Sequence, residues 1–394
     1  MADEACNLDR RSLARLFPGL RLVGALRLAF DLRKLIIAAL GLALLQLGWS
    51  LIDGLFPASA AVTPDMHTAA APVGLATGVV WTWETLAALH SRLSEPIRLL
   101  TTPLFALLEP RSSWGTMVHA LLSLMWLMII WSICGCAIAR IAIVQVAKLR
   151  QTGTGEALRF SLWSWSHLIV PSLCPLLGLA ICGAFTGAFG LLYRLPVAGP
   201  ALAGAILVIP LAAGLMMILL VAGLVAGWPL MHAAVAAGAE DALDAMSRTF
   251  GYLNQRIGPF LALMVFVWLE GIIGLQLVDL LTGGVIRLTQ WGLGLTAPEG
   301  PVAALFGGAG APAGPVAAAT HTFWLGVVGL LAHGWIYSFF WTAAALLYLW
   351  LRHDVDGTPW SEIETGRMVL STEATPIVAV PDTSPSPSAE PGPE

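Results

Sequence analysis

Apolar positions along this chain run in long unbroken blocks. They neither alternate nor recur once per helical turn. Six blocks reach about 18 residues or more, the length at which an apolar run crosses a bilayer as a helix. They cover residues 35–56, 114–139, 169–193, 201–226, 258–282 and 323–351. The pattern predicts an all-α, polytopic transmembrane helix bundle of six spans. An outer-membrane barrel would instead show ~10-residue segments of alternating polarity, and the sequence shows none. Small residues inside the blocks, such as Gly271 and Gly274, or Ala203, Gly204 and Ala212, are where close helix packing is expected.

The polar intervals add an internal repeat. "GTGEALRFSLWSWSHLIVPSLCPLLGLAI" and "GAEDALDAMSRTFGYLNQRIGPFLALMVF" each give a small residue, an acid with Ala-Leu, an amphipathic stretch, a proline and a span. The amphipathic stretches cover 155–168 and 239–256. In the second, Leu243, Met246, Phe250 and Leu253 recur at helical spacing, while Asp241, Asp244, Arg248, Asn254 and Arg256 fall largely elsewhere. Such a helix is expected to lie in the membrane interface, apolar side down. Pro171 and Pro259 are expected in the first turn of the following span, where a missing N–H costs nothing. The unit of span, interfacial helix and span occurs twice in one orientation, a loose parallel repeat.

Residues 57–113 form a long outer segment. It starts with the flexible "PASAAVTPDMHTAAAPVG". Further on, Leu99, Leu100, Leu104, Leu107 and Leu108 could form an apolar face on the outer leaflet, cut into short pieces by Pro96, Pro103 and Pro110. A second loop, near 284–322, contains the low-complexity "GGAGAPAGP". The organisation is therefore a basic segment 1–34, a membrane domain 35–351 and a tail 352–394, the tail disordered from about 370 by its Pro, Ser and acid content.

Composition agrees: 57% of residues are hydrophobic and 11% charged, against ~25% charged in a soluble domain. Lys and Arg set the orientation. With the N-terminus inside, 15 of the 20 fall in cytoplasmic parts, the exceptions being Arg92, Arg98, Arg111, Arg194 and Arg287. Both termini are expected in the cytoplasm. The chain opens "MADEACNLDRRSLARLF" with no early apolar region, so no cleaved leader is expected. Of the 16 tryptophans, Trp49, Trp114, Trp228, Trp324 and Trp350 sit near block ends and are expected at headgroup level. A net charge of −4 shows no nucleic-acid footprint. Cys6, Cys134, Cys136, Cys174 and Cys182 lack metal-site spacing, and no disulfide, metal or cofactor is expected.

The segment "EDALDAMSRTFGYLNQR", the entry "LRLAFDLRK" and the exit "LLYLWLRHDVDG" carry a resemblance. They resemble an uncharacterised bacterial six-span family, similar to the membrane domain that accompanies some glycerophosphodiester phosphodiesterases. The resemblance extends over much of residues 25–365. It implies a six-span fold in a bacterial inner membrane and no activity, and no soluble phosphodiesterase domain is present.

Candidate chemistry centres on Glu270, inside "VFVWLEGIIGLQLVDLL". Counted from Pro259 it lies about 16 Å into the membrane, and His333, counted from Trp324, about 14 Å. A hydrogen bond between Glu270 and His333 is expected, with Tyr337 and Ser338 one turn away. It would serve as an interhelical tie or as an intramembrane proton or substrate site. Arg140, Lys148, Arg150, Arg248 and Arg256 are candidate headgroup contacts. Asp53, Asp279 and His119 are expected near outer span ends, hydrated. "RHDVDG" lacks the last ligand of a calcium loop and reads as a helix end stopped by Gly357. No HExxH, G-x-S-x-G or P-loop is present, and no Ser–His pair at matched depth is apparent. The expectation is a non-enzymatic structural or interaction protein, its amphipathic helices docking lipid headgroups or a partner. Its partners would be the lipid bilayer and possible protein partners or further copies of itself. The alternative is a small-solute or proton-coupled transporter working at Glu270 and His333.

Overall fold

A computed structural model describes residues 24–57, 82–109, 112–147, 152–196, 198–238, 241–296 and 314–360. The expectations for the first 23 residues, for most of 57–81, for Lys148 and Arg150, for 297–313 and for the tail from 361 fall outside these residues. Among the described residues there are twelve helices and no strands. They are α1 Gly24–Ala29, α2 Leu32–Leu55, α3 Trp83–Leu93, α4 Glu95–Leu108, α5 Trp114–Ala147 and α6 Thr154–Trp163. There follow α7 Trp165–Gly190, α8 Ala198–Ala205, α9 Val208–Ala237, α10 Ala242–Gln255, α11 Ile257–Gly294 and α12 Pro315–Asp356. Six of them, α2, α5, α7, α9, α11 and α12, are long and apolar enough to cross a membrane. The protein is an all-α multi-pass membrane protein.

Helix ends follow local chemistry. Asp31 caps α2, its carboxylate accepting from the Arg33 N–H at 3.0 Å. Gly238 (φ 111°) and Gly357 (φ 69°) stop α9 and α12 in the left-handed region that favours glycine. The fourth expected span is in fact two helices, α8 and α9, broken near residues 206–207.

Helix α5 is central: 83% of its most apolar stretch is buried, against 6% for α9. It packs against α2, α4, α6, α9 and α12. Its Trp131 stacks on Tyr337 at 4.3 Å and on Trp341 at 6.3 Å, and Trp228 of α9 meets Trp341 edge-on at 5.2 Å. Gly135 makes room for Trp341, since a Cβ there would lie 2.3 Å from the indole. Trp49, Trp228 and Trp350 are therefore core residues, not belt residues; only Trp114 and Trp324 of the five are exposed. Position along an apolar block does not reveal which face a ring takes.

Helices α11 and α12 run antiparallel. A Cβ on Gly271 would press on Phe339, and one on Gly274 on Trp335, while Arg256 pairs with Asp354 at 2.8 Å. Those two glycines are close-packing positions, as expected; Gly204 faces open space. The α7–α9 pair leaves apolar side chains such as Leu177, Ile181, Leu211 and Ile218 exposed, as surfaces for lipid tails do.

Three expectations change. Residues 95–108 are one helix with Pro103 inside it, and Leu99, Leu100 and Leu104 are buried. Helix α4 thus packs within the bundle against α5, not on the outer leaflet. Helix α10 turns its apolar side to protein: Phe250 lies against Gly223 and Gly227 of α9, and Ala245 and Tyr252 are buried. Leu243 alone of its four expected lipid contacts is exposed. The units α5–α6–α7 and α9–α10–α11 both read span, short helix, span. Pro259 lies in the first turn of α11 as expected, but Pro171 is seven residues into α7, which begins at Trp165 directly after α6.

Gly135→Ala should destabilise the solubilised protein by about 1–3 kcal/mol through overpacking on Trp341. Gly204→Ala, in open space, should stay within about 0.5 kcal/mol. Thermal unfolding in detergent, followed by size-exclusion fluorescence, compares the two.

Candidate functional site

Ser94 is the single residue between α3 and α4, so the chain turns there and α4 opens with Glu95 and Pro96. Pro suits the first turn of a helix and an acid there complements the helix dipole. Glu95 is 1% exposed. Its Oε1 accepts two bonds, from the Tyr337 hydroxyl and from His333 Nε2, each at 2.7 Å. His333 and Tyr337 lie one turn apart on α12, so both reach one oxygen. Oε2 is buried and has no hydrogen-bond partner among the described residues. Leu108 ends α4 13 residues after Glu95, about 20 Å by the helical rise. Helix α4 therefore starts inside the bundle and leaves towards the end where α5 begins.

The second carboxylate, Glu270, does not meet His333. Its Oε1 accepts from the Leu26 N–H at 2.9 Å, in the first turn of α1, and its Oε2 is also buried and without a partner among the described residues. The register explains the miss. Gly271 lies opposite Phe339, which puts His333 six residues, about 9 Å, further along α12. Depth counted from Trp324 misled because α12 begins at Pro315. Of the expected polar group, His333 and Tyr337 serve Glu95, and the Ser338 hydroxyl donates to the Ala29 carbonyl of α1 at 2.8 Å. Two helices thus begin beside buried acids, α1 at Glu270 and α4 at Glu95. They leave towards opposite ends: α1 leads into Asp31, which accepts from Gln145 near the last turn of α5, and α4 leads to the first residue of α5.

Several other charged groups are paired with protein. Arg92 binds Asp279 through two bonds, 2.6 and 2.9 Å, and His119 meets Asp53 at 2.8 Å. Asp279 and His119 are buried, not hydrated as expected. Arg140 donates to the Ala236 carbonyl at 2.7 Å and covers the Phe160 ring, so its guanidinium serves helix packing. Arg248 holds Asp244 and Arg256 holds Asp354, both partly exposed. "RHDVDG" ends α12 at Gly357 as expected, and its two acids clasp the α10–α11 joint: Asp354 takes Arg256 and Asp356 takes the Tyr252 hydroxyl. Burial, then the bond to Asp356, pushes the Tyr252 phenol above its usual range, so the hydroxyl stays a donor through neutral pH.

A Ser–His pair does exist, contrary to expectation. His232 Nδ1 lies 2.7 Å from the Trp228 carbonyl and must donate to it. In the neutral ring Nε2 then accepts from the Ser132 hydroxyl at 2.9 Å. Both residues are fully buried, and the pair ties α5 to α9. The two residues are 100 positions apart in sequence, so nothing local announced it. Among the described residues no cluster of three metal-ligating side chains occurs. Glu95 was missed because it stands in a segment taken for a surface. Its signal was the Ser-Glu-Pro helix start ahead of a leucine face.

Asp279→Asn leaves the mostly buried Arg92 without its counter-charge and should cost about 3–5 kcal/mol. The double change Arg92→Met with Asp279→Leu should recover most of that loss. Unfolding temperatures of the three proteins in one detergent give the comparison.

No family model, curated protein or solved structure matches this chain.

Proposed function

We propose that this protein is a proton-coupled transporter of a small solute in a bacterial inner membrane, with Glu95 as its central carboxylate. The observation that supports this is the state of Glu95: fully buried, one oxygen shared by His333 and Tyr337, the other without a partner among the described residues, at the start of a helix that crosses only part of the bundle. Ionisable groups inside membrane bundles cost several kcal/mol, and interrupted helices ending beside them are how many transporters build their sites. Glu270 at the start of α1 gives a second such centre. The end carrying α6 and α10 is read as cytoplasmic, in keeping with the Lys and Arg bias. The likeness to the membrane domain found with some glycerophosphodiester phosphodiesterases enters here as a proposal of fold and location alone.

The second reading is a non-enzymatic structural or docking protein. Its support is the exposed Leu162, Trp163 and Trp165 at the α6–α7 joint, an apolar edge suited to lipid headgroups or a partner.

Purified protein in liposomes, loaded with a pH-reporting dye and given candidate solutes under a proton gradient, separates the two. The transport reading expects solute-dependent proton movement that falls about tenfold or more in Glu95→Gln, the ~1.4 kcal/mol scale of one strong charged hydrogen bond, with unchanged size-exclusion behaviour. Equal movement in wild type and Glu95→Gln would remove Glu95 from the function.

A further inference from the structure

We infer that Lys34 is a proton-exchanging residue, its amine taking up and releasing a proton where α1 turns into α2. The inference rests on the transport reading and adds a second proton site to it. Lys34 is fully buried, 0% exposed. Its ammonium form has three N–H donors, yet among the described residues it makes one bond, to the Thr342 hydroxyl at a long 3.5 Å. A buried ammonium so thinly bonded is costly; a neutral amine, or one that alternates, is not. A proton is the one ligand that needs no room beyond Nζ itself.

The surroundings give that proton a consequence. Charged groups at the turn and on the helices packed there include Arg27 on α1, Asp31 and Arg33, Arg140 on α5, Glu156 and Arg159 on α6, and Arg352, Asp354 and Asp356 on α12. Asp31 stands three residues before Lys34, and its oxygens accept from the Arg33 N–H and from Gln145. Asp31 is partly exposed, and Gln145 steadies it. Uptake adds a proton from water to Nζ, converting amine to ammonium, and release returns it to water. The turn that gains this charge is the one whose α1 holds Glu270 at Leu26 and Ser338 at Ala29. Thr342 and Ser338 are one turn apart on α12, so protonation of Lys34 puts a charge one helical turn from the bond that seats α1.

Arginine keeps the charge and the hydrogen bonding but cannot lose its proton, so Lys34→Arg separates exchange from packing. In the liposome assay Lys34→Arg should elute as wild type and lose flux at least roughly tenfold, and Lys34→Gln should lose it likewise. Wild-type flux in Lys34→Arg overturns the inference, and if Glu95→Gln is inactive in the same assay the transport reading survives. Wild-type flux in Glu95→Gln sinks that reading instead. A measurement on the unaltered protein covers poor folding of the variants or a silent flux assay. Lys34 and Lys148 are the chain's two lysines, so 13C-labelling of lysine side chains gives two NMR signals, assigned with Lys148→Arg. The Lys34 signal should follow buffer pH across the range used for flux; a signal indifferent to pH throughout overturns the inference.

Discussion

A carboxylate can sit inside an apolar bundle only if donors meet it there, and Glu95 is the place where this constraint shapes the whole molecule. His333 and Tyr337 both give to one of its oxygens. To receive them, α4 must descend between α5 and α12, and the outer segment becomes part of the interior. The leucines at 99, 100 and 104 then have a core to fill. Tyr337 is fixed in turn by the flat face of Trp131, so the polar centre and the aromatic core hold each other. Lost pairing would leave an uncompensated charge, several kcal/mol out of balance.

Lipid tails are as apolar as the helices they surround, so burial of apolar area does not hold this bundle together as it would in water. Close fit and polar ties remain. Close fit is visible at Gly135 under Trp341 and at Gly271 and Gly274 against Phe339 and Trp335. Polar ties join several pairs of neighbours: Arg92 with Asp279, Ser132 with His232, Asp53 with His119, Trp49 with the Ser123 carbonyl. At the α6–α10 end, Tyr252 and Arg256 bind the last residues of α12, so the short helix α10 acts as a clasp on the spans.

The same ties separate structure from function. Arg92 and Asp279 neutralise one another in a salt bridge, although the Arg92 Nε keeps no partner among the described residues, and Ser132 and His232 bind each other as neutral groups. Glu95, Glu270 and Lys34 differ: each is buried, and among the described residues none forms a salt bridge with an Arg, Lys, Asp or Glu and each leaves bonding capacity unused. Unused capacity at a costly position is the physical ground for reading them as working groups rather than rivets.

Six spans, their order and their helical character were legible in the chain, because a bilayer demands ~20 apolar residues per crossing and the blocks at 35–56 through 323–351 meet that demand one by one. The stop at Gly357 and the first-turn proline at 259 were legible too, since caps and proline act within a few residues. Partnership was not. Glu270 and His333 were matched by depth, but depth depends on where α11 and α12 begin and on their register, which Gly271 and Gly274 set by letting Phe339 and Trp335 approach. Glu95 looked like a surface acid because only the fold carries its helix inward. Local rules act along the chain, so the sequence alone determined the elements; contacts such as Glu95–His333, 238 residues apart, are decided by how those elements pack.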